Sequence, residues 1–456
     1  MMNCSLKNGL FYVGTMLALA ACNPNLKRES ISIDTLAEKP PMGWNSWLTY
    51  GTDVTEEEVK AVADYMAEHL KPYGWQYVVI DLGWYSREKA VNQEYKKARP
   101  HQVIDCYGRL IPDTSKFPSS RGGQGFGPLA EYLHAKGLKL GIHIMRGIPY
   151  LAVEKNTPIL HTSYRAADIA LYNEGCAWYD GMRKVDMNHP AGQAYYNSIA
   201  ELYASWNVDF IKADDMQLWP YHTKEVEALH TAIELSGRPM VLSLSPGGPP
   251  FQDRNHPIRY ANMYRITGDV WDQWKDVYAH FEVCKDYELY QQPCHWADCD
   301  LLPIGKINLR GENGTGERNS RLTRDEQYTV MTLWCIFRSP LFLSNNLLCT
   351  DSFTLSLITN PEVLEVNQNS TNNHELFSKE GIIAWTAGEP QTTNKYLAVF
   401  NTTGKKQEVS IPLSSMGING SCKVRDLWQR KEKGSFSKEI KTTINSHGAV
   451  LFKLIL

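Results

Sequence analysis

Two aspartates, Asp214 and Asp269, close short apolar runs of strand-like sequence, residues 208–214 and 263–269. Each has a cation on its own run: Lys212 two residues before Asp214, Arg265 four before Asp269. Side chains two or four apart on a strand share a face, so each carboxylate is expected beside a fixed positive charge. One carboxylate held ionised, with another able to give and take a proton, is the equipment for breaking a glycosidic bond. Asp215 competes with Asp214, but adjacent strand residues face opposite ways, and the Lys212 register selects Asp214. Taken singly, either pair is an ordinary ion pair at a strand end. The chemistry follows from finding both within one repeating strand–helix pattern.

That pattern runs from about residue 41 to 368. Thr55-Glu56-Glu57-Glu58 forms a capping box, and Val59, Val62, Ala63, Met66 and Leu70 follow at helical spacing. Residues 75–81 are apolar and β-branched, a buried strand. Pro128 opens a helix that Gly137 stops, and residues 138–144 form the next strand. Helices over 191–206 and 223–236 feed strands ending at Asp214 and Ser245. A strand over 263–267, a helix capped at Thr323 and a strand over 340–344 complete the series. Strands alternating with helices at this spacing indicate a parallel sheet, and a count near eight favours a (β/α)8 barrel. No GxGxxG follows the first strand, which argues against a dinucleotide fold. Barrel active sites lie at the C-terminal ends of strands, where Asp81, His143, Asp214, Ser245 and Asp269 all fall. Two long excursions, residues 86–127 and 150–188, are expected at that same end. Past residue 370 the sequence changes to short alternating strands without helix signals, a small antiparallel β-sandwich over 371–456 behind a barrel over 40–370.

With 456 residues the chain is long enough for two domains and a large core. Lys and Arg (47) nearly balance Asp and Glu (50), so no strong field selects nucleic acid as a partner. Lys7 precedes an apolar run, residues 10–20, too short to span a bilayer, which ends Leu19-Ala20-Ala21-Cys22. Small residues before a cysteine resemble a bacterial lipobox. Residues 1–22 are therefore expected to be a lipoprotein signal with Cys22 as the lipidated residue, and 23–39 a polar tether. The mature chain would be exported and held at a Gram-negative membrane by lipid alone. The eight remaining cysteines show no CxxC pair and no zinc-finger spacing, and no metal or cofactor is expected.

The block Pro40-Pro41-Met42-Gly43-Trp44-Asn45-Ser46-Trp47 closely resembles the barrel opening of the melibiase-like α-galactosidases, glycoside hydrolase family 27. Lys212-Ala213-Asp214 resembles that family's nucleophile motif, and Arg265 with Asp269 its acid/base motif. Residues 296–300 (Trp-Ala-Asp-Cys-Asp) and 339–345 (Ser-Pro-Leu-Phe-Leu-Ser-Asn) match two further landmarks. The resemblance implies a retaining exo-glycosidase acting on a terminal α-linked galactose-type sugar. Asp214 would be the nucleophile and Asp269 the acid/base. Trp47 would stack on the sugar, Asp81 would accept its outer hydroxyls, Arg265 would steady a hydroxyl or carboxylate, and Asp300 would lie near the leaving group.

Four positions depart from the family pattern. Leu82 stands where a second sugar-gripping aspartate is common, His143 where an aromatic is frequent, and Met216 where a cysteine usually follows the nucleophile. Ser245 occupies the loop that reads the sugar's second carbon, where a carboxylate suits galactose and a serine suits an acetamido group. α-Galactosidase is the leading expectation. α-N-Acetylgalactosaminidase is the alternative that Ser245 suggests, and β-L-arabinopyranosidase the one that Leu82 suggests. A lipid-anchored carbohydrate-binding protein without catalysis is the alternative of another class.

Overall fold

The computed structural model describes residues 35–87, 99–172, 174–217, 220–308, 310 and 316–456. Residues 1–34, on which the expected signal and Cys22 fall, lie outside the described residues. Eight parallel strands form one curled sheet: β1 (Met42–Asn45), β2 (Tyr77–Ile80), β3 (Lys139–Met145), β4 (Phe210–Asp214), β5 (Val241–Leu244), β6 (Met263–Arg265), β7 (Trp296–Asp298) and β8 (Leu341–Leu343). They pair in chain order, and β8 returns to β1. Between β7 and β8 the circle closes just past the strand end. There Leu302 bridges Leu343 in parallel, and its N–H donates to the Phe342 carbonyl at 2.8 Å. The expected (β/α)8 barrel is the observed fold.

Inward and outward residues alternate along each strand. On β4, Ile211 and Ala213 join the large outer core beneath the helices, while Phe210 joins a separate inner cluster with Tyr77, Val79, Val241, Met263, Trp296 and Phe342. These large side chains fill the barrel floor because two inward positions are glycine. A Cβ at Gly43 would stand 2.6 Å from the Tyr77 carbonyl oxygen, and one at Gly141 2.7 Å from Val79 Cγ2. Above this floor the inward positions turn polar, and the site begins there.

The helices start and stop where their local chemistry directs. The Thr55–Glu58 capping box opens Glu56–Tyr65, and the Thr323–Glu326 box opens Arg324–Phe337. Gly237, at φ +70°, ends Thr223–Ser236. Eight antiparallel strands from Thr371 onward build the C-terminal domain, a six-stranded sheet covered by a two-stranded one. It docks on the barrel's outer helices, where His447 stacks on Trp274 at 4.0 Å and binds Glu326 through Nδ1 at 2.7 Å.

Candidate active site

Strand alternation carries Asp81, Lys212, Asp214 and Arg265 to the open C-terminal end of the barrel. There they border a cavity of about 330 Å³ together with Trp47, Leu82, Asp269 and Asp300. Trp178, from the excursion after β3, and Trp271, beyond β6, complete its aromatic wall. Asp214, at the end of β4, and Asp269, on the loop after β6, thus line one cavity.

Asp214 is nearly buried, and both its oxygens are held. His143 Nε2 lies 2.9 Å from Oδ2, and the Ser245 hydroxyl donates to Oδ1 at 2.7 Å. Burial works to raise this carboxyl but is outweighed by His143, through its hydrogen bond and charge, then by the Lys212 charge and Ser245. The group sits well below the usual carboxylate range. Asp269 differs: its side chain is 52% exposed. The two carboxyl groups thus differ in environment, one buried and held ionised, the other open to solvent.

Both cations take a closer partner than their strand spacing suggests. Lys212 Nζ reaches across β3 to Asp81 Oδ2 at 2.8 Å, because His143, on the intervening strand, occupies the place beside Asp214. Arg265 Nη1 pairs with Asp300 Oδ1 at 2.7 Å and meets Asp269 only at 3.5 Å through Nη2. The reason is that β6 ends at Arg265. Asp269 then sits on the following loop, where face-sharing no longer holds.

Asp81 also accepts from Asn45 Nδ2 at 2.7 Å. Burial alone would raise Asp81; the Lys212 and His143 charges bring it below its ordinary value. Asp300 has a positive φ of 79°, and its Oδ2 accepts the Val270 N–H at 2.8 Å. Burial, reinforced by Asp269 and Asp298 and opposed by Arg265, pushes Asp300 up to about 7. Ser245 lies beneath the cavity wall, its hydroxyl engaged by Asp214, and Pro246 forms the wall at that point.

Asp215 turns away from the cavity at φ +62° and accepts a fork from Arg146, Nη2 at 2.7 Å and Nε at 3.0 Å. Arg146 Nη1 also binds Glu225 at 3.0 Å, which accepts from the Tyr196 hydroxyl at 2.9 Å. This buried network supports the end of β4 from behind. Removing its one guanidinium strands two buried carboxylates. Arg146→Ala is therefore expected to cost about 3–5 kcal/mol of stability, seen as a lower urea midpoint in equilibrium unfolding.

Sequence reasoning gave no role to His143, Trp178 or Trp271. His143 carried a usable signal, since it ends a predicted strand beside the one bearing Asp214. The two tryptophans lie on irregular segments where no periodicity points to the cavity. The eight described cysteines are all free thiols, and Cys335 is buried in the helix Arg324–Phe337.

The family model for alpha galactosidase A matches residues 39–152 and 174–369, and that for the alpha galactosidase C-terminal beta sandwich domain matches 380–454. The chain belongs to the melibiase-like α-galactosidases, glycoside hydrolase family 27. It is accordingly a glycoside hydrolase, with a sugar-bearing substrate. Among solved structures it is similar to a family 27 β-L-arabinopyranosidase from Geobacillus stearothermophilus, with 44% identity and a TM-score of 0.89 over 93% of this chain and 98% of that one. A putative alpha-N-acetylgalactosaminidase from Bacillus halodurans is 42% identical, with a TM-score of 0.82 over 91% of this chain and 97% of the other. The alpha-galactosidase of Cyamopsis tetragonoloba is 26% identical, covering 94% of this chain and 89% of its own. Members bearing three different substrate names thus align along nearly the whole length, which leaves the sugar to be argued from the cavity wall of this glycosidase.

Proposed function

We propose that this glycosidase removes terminal sugars of the α-D-galacto ring configuration by a retaining double displacement, and that β-L-arabinopyranosides are its best substrates. The observation carrying the choice of sugar is Leu82, 2% exposed, lining the cavity directly after the sugar-facing candidate Asp81. β-L-Arabinopyranose is the galactose ring without its exocyclic hydroxymethyl group. Against leucine that hydroxyl would lose water and gain no partner, a loss of about 1–3 kcal/mol, whereas a bare ring methylene makes apolar contact. The β-L-arabinopyranosidase activity named for the Geobacillus relative supports the same reading.

In the proposed cycle an Asp214 oxygen attacks the anomeric carbon while Asp269 protonates the departing oxygen. Asp269 then takes a proton from water, which displaces Asp214 and restores the carboxylate. α-Galactosides, which share the ring configuration and give several relatives their name, would be slower substrates of the same site. N-Acetylgalactosaminides fit less well, because the Ser245 hydroxyl has given its one proton to Asp214 and has none left to donate to an acetamido carbonyl. A panel of p-nitrophenyl glycosides is expected to rank β-L-arabinopyranoside above α-D-galactopyranoside by at least tenfold in kcat/KM, with the acetamido sugar last. A galactoside or acetamido sugar at the head of that ranking rejects the sugar assignment. We further propose export and lipid anchoring through Cys22. Radiolabelled palmitate incorporated by the wild type but not by Cys22→Ala would support it, and equal labelling would reject it.

A further inference from the structure

His143 is fully buried in the C-terminal half of β3, and its backbone carbonyl accepts the Trp84 indole N–H at 2.8 Å. Its ring makes one polar contact among the described residues, Nε2 to Asp214 Oδ2, while Nδ1 is buried with no hydrogen-bond partner. An ionised carboxylate only accepts, so Nε2 carries the proton in that contact. Leaving the other nitrogen unpartnered costs free energy that an apolar ring of similar size would not incur, so packing does not account for a histidine here. Lys212, displaced from this place, gives its ammonium to Asp81 at 2.8 Å.

We propose that His143 is a positioning residue for the second half-reaction, holding one Asp214 oxygen while Ser245 holds the other, so that the carboxylate leaves readily from the glycosyl–enzyme. The inference rests on the retaining double displacement proposed above. In the first step a carboxylate oxygen bonds to the anomeric carbon, the bond to the aglycone breaks, and Asp269 gives its proton to the departing oxygen. In the second, water bonds to that carbon as Asp269 takes its proton, and the electron pair of the breaking bond returns to Asp214. Charge leaves the carboxylate in the first step and returns in the second. Donors on its oxygens therefore restrain attack and favour departure. Their removal should slow deglycosylation more than glycosylation.

The test compares His143→Phe with His143→Gln, whose amide restores a donor, on an aryl β-L-arabinopyranoside with a good leaving group. For His143→Phe, kcat is expected to fall roughly 10- to 100-fold. KM should fall with it, leaving kcat/KM less affected, and rapid-quench intact mass should show the glycosyl–enzyme accumulating. His143→Gln should recover most of kcat. Two results overturn the role of His143 alone: no adduct build-up in a folded His143→Phe variant, or a glutamine variant no better than phenylalanine. A wild-type enzyme that forms no adduct on Asp214 with a 2-fluoro glycosyl fluoride would instead overturn the retaining reading, and the inference with it.

Discussion

Asp214→Asn is expected to lower kcat by about 10⁴-fold or more, the scale of losing a catalytic nucleophile. The substitution keeps the shape of the side chain, so a folded cavity should persist. Asparagine has one acceptor oxygen, however, where the aspartate presents two to His143 and Ser245. Its neutral amide also cannot attack an anomeric carbon. Sugar binding should therefore survive while turnover disappears, giving a ligand-induced thermal shift comparable to wild type beside an absent chromogenic rate. This separates the enzyme from a carbohydrate-binding protein, for which the substitution would change binding or nothing. Small external anions sharpen the result. In Asp214→Gly, azide can enter from the vacated side and should give a glycosyl azide of inverted configuration. In Asp269→Gly the proposed covalent intermediate should still form from a substrate with a good leaving group, and azide should give retained configuration. A wild-type rate in Asp214→Asn would remove the assignment of the nucleophile.

The fold and the location of the site were legible because both follow from periodic signals. Alternating strand and helix runs gave the barrel, and the strand-end rule placed Asp81, Asp214 and the neighbourhood of Asp269 at one mouth. The finer electrostatics were not legible. Face-sharing on one strand paired Lys212 with Asp214 and Arg265 with Asp269, yet each cation has a closer carboxylate partner contributed by another strand or loop. Inside a closed barrel a long side chain reaches across to a second strand as easily as along its own, and sequence spacing carries no record of that. The strand-end rule brought His143 to the same mouth but gave it no partner. Its importance comes from lying between Asp81 and Asp214, a relation that exists only once β2, β3 and β4 stand side by side. Trp178 was hidden for a different reason, since it comes from an excursion whose path no local pattern fixes.

Leu82→Asp is expected to move the preference between sugars. A carboxylate there would give the galactose hydroxymethyl group an acceptor. A hydrogen bond to a charged group contributes about 1.5–3 kcal/mol, so the ratio of kcat/KM for α-D-galactopyranoside over β-L-arabinopyranoside should rise roughly 10- to 100-fold. The new charge would enter a nearly closed position beside Asp81, whose Oδ1 already accepts the residue 82 N–H at 2.8 Å. Repulsion between the two carboxylates would oppose ionisation, with Lys212 as the nearby compensating cation. Leu82→Asn supplies acceptor capacity without that repulsion. It should show the same direction of change with a smaller loss of stability. Both variants must be judged on the ratio, because a general distortion of the cavity lowers the two rates together, while a changed contact at one carbon of the sugar separates them. A ratio unmoved in both folded variants would mean that residue 82 does not face the position where the two sugars differ. Preference would then have to come from the aromatic wall of Trp47, Trp178 and Trp271 instead.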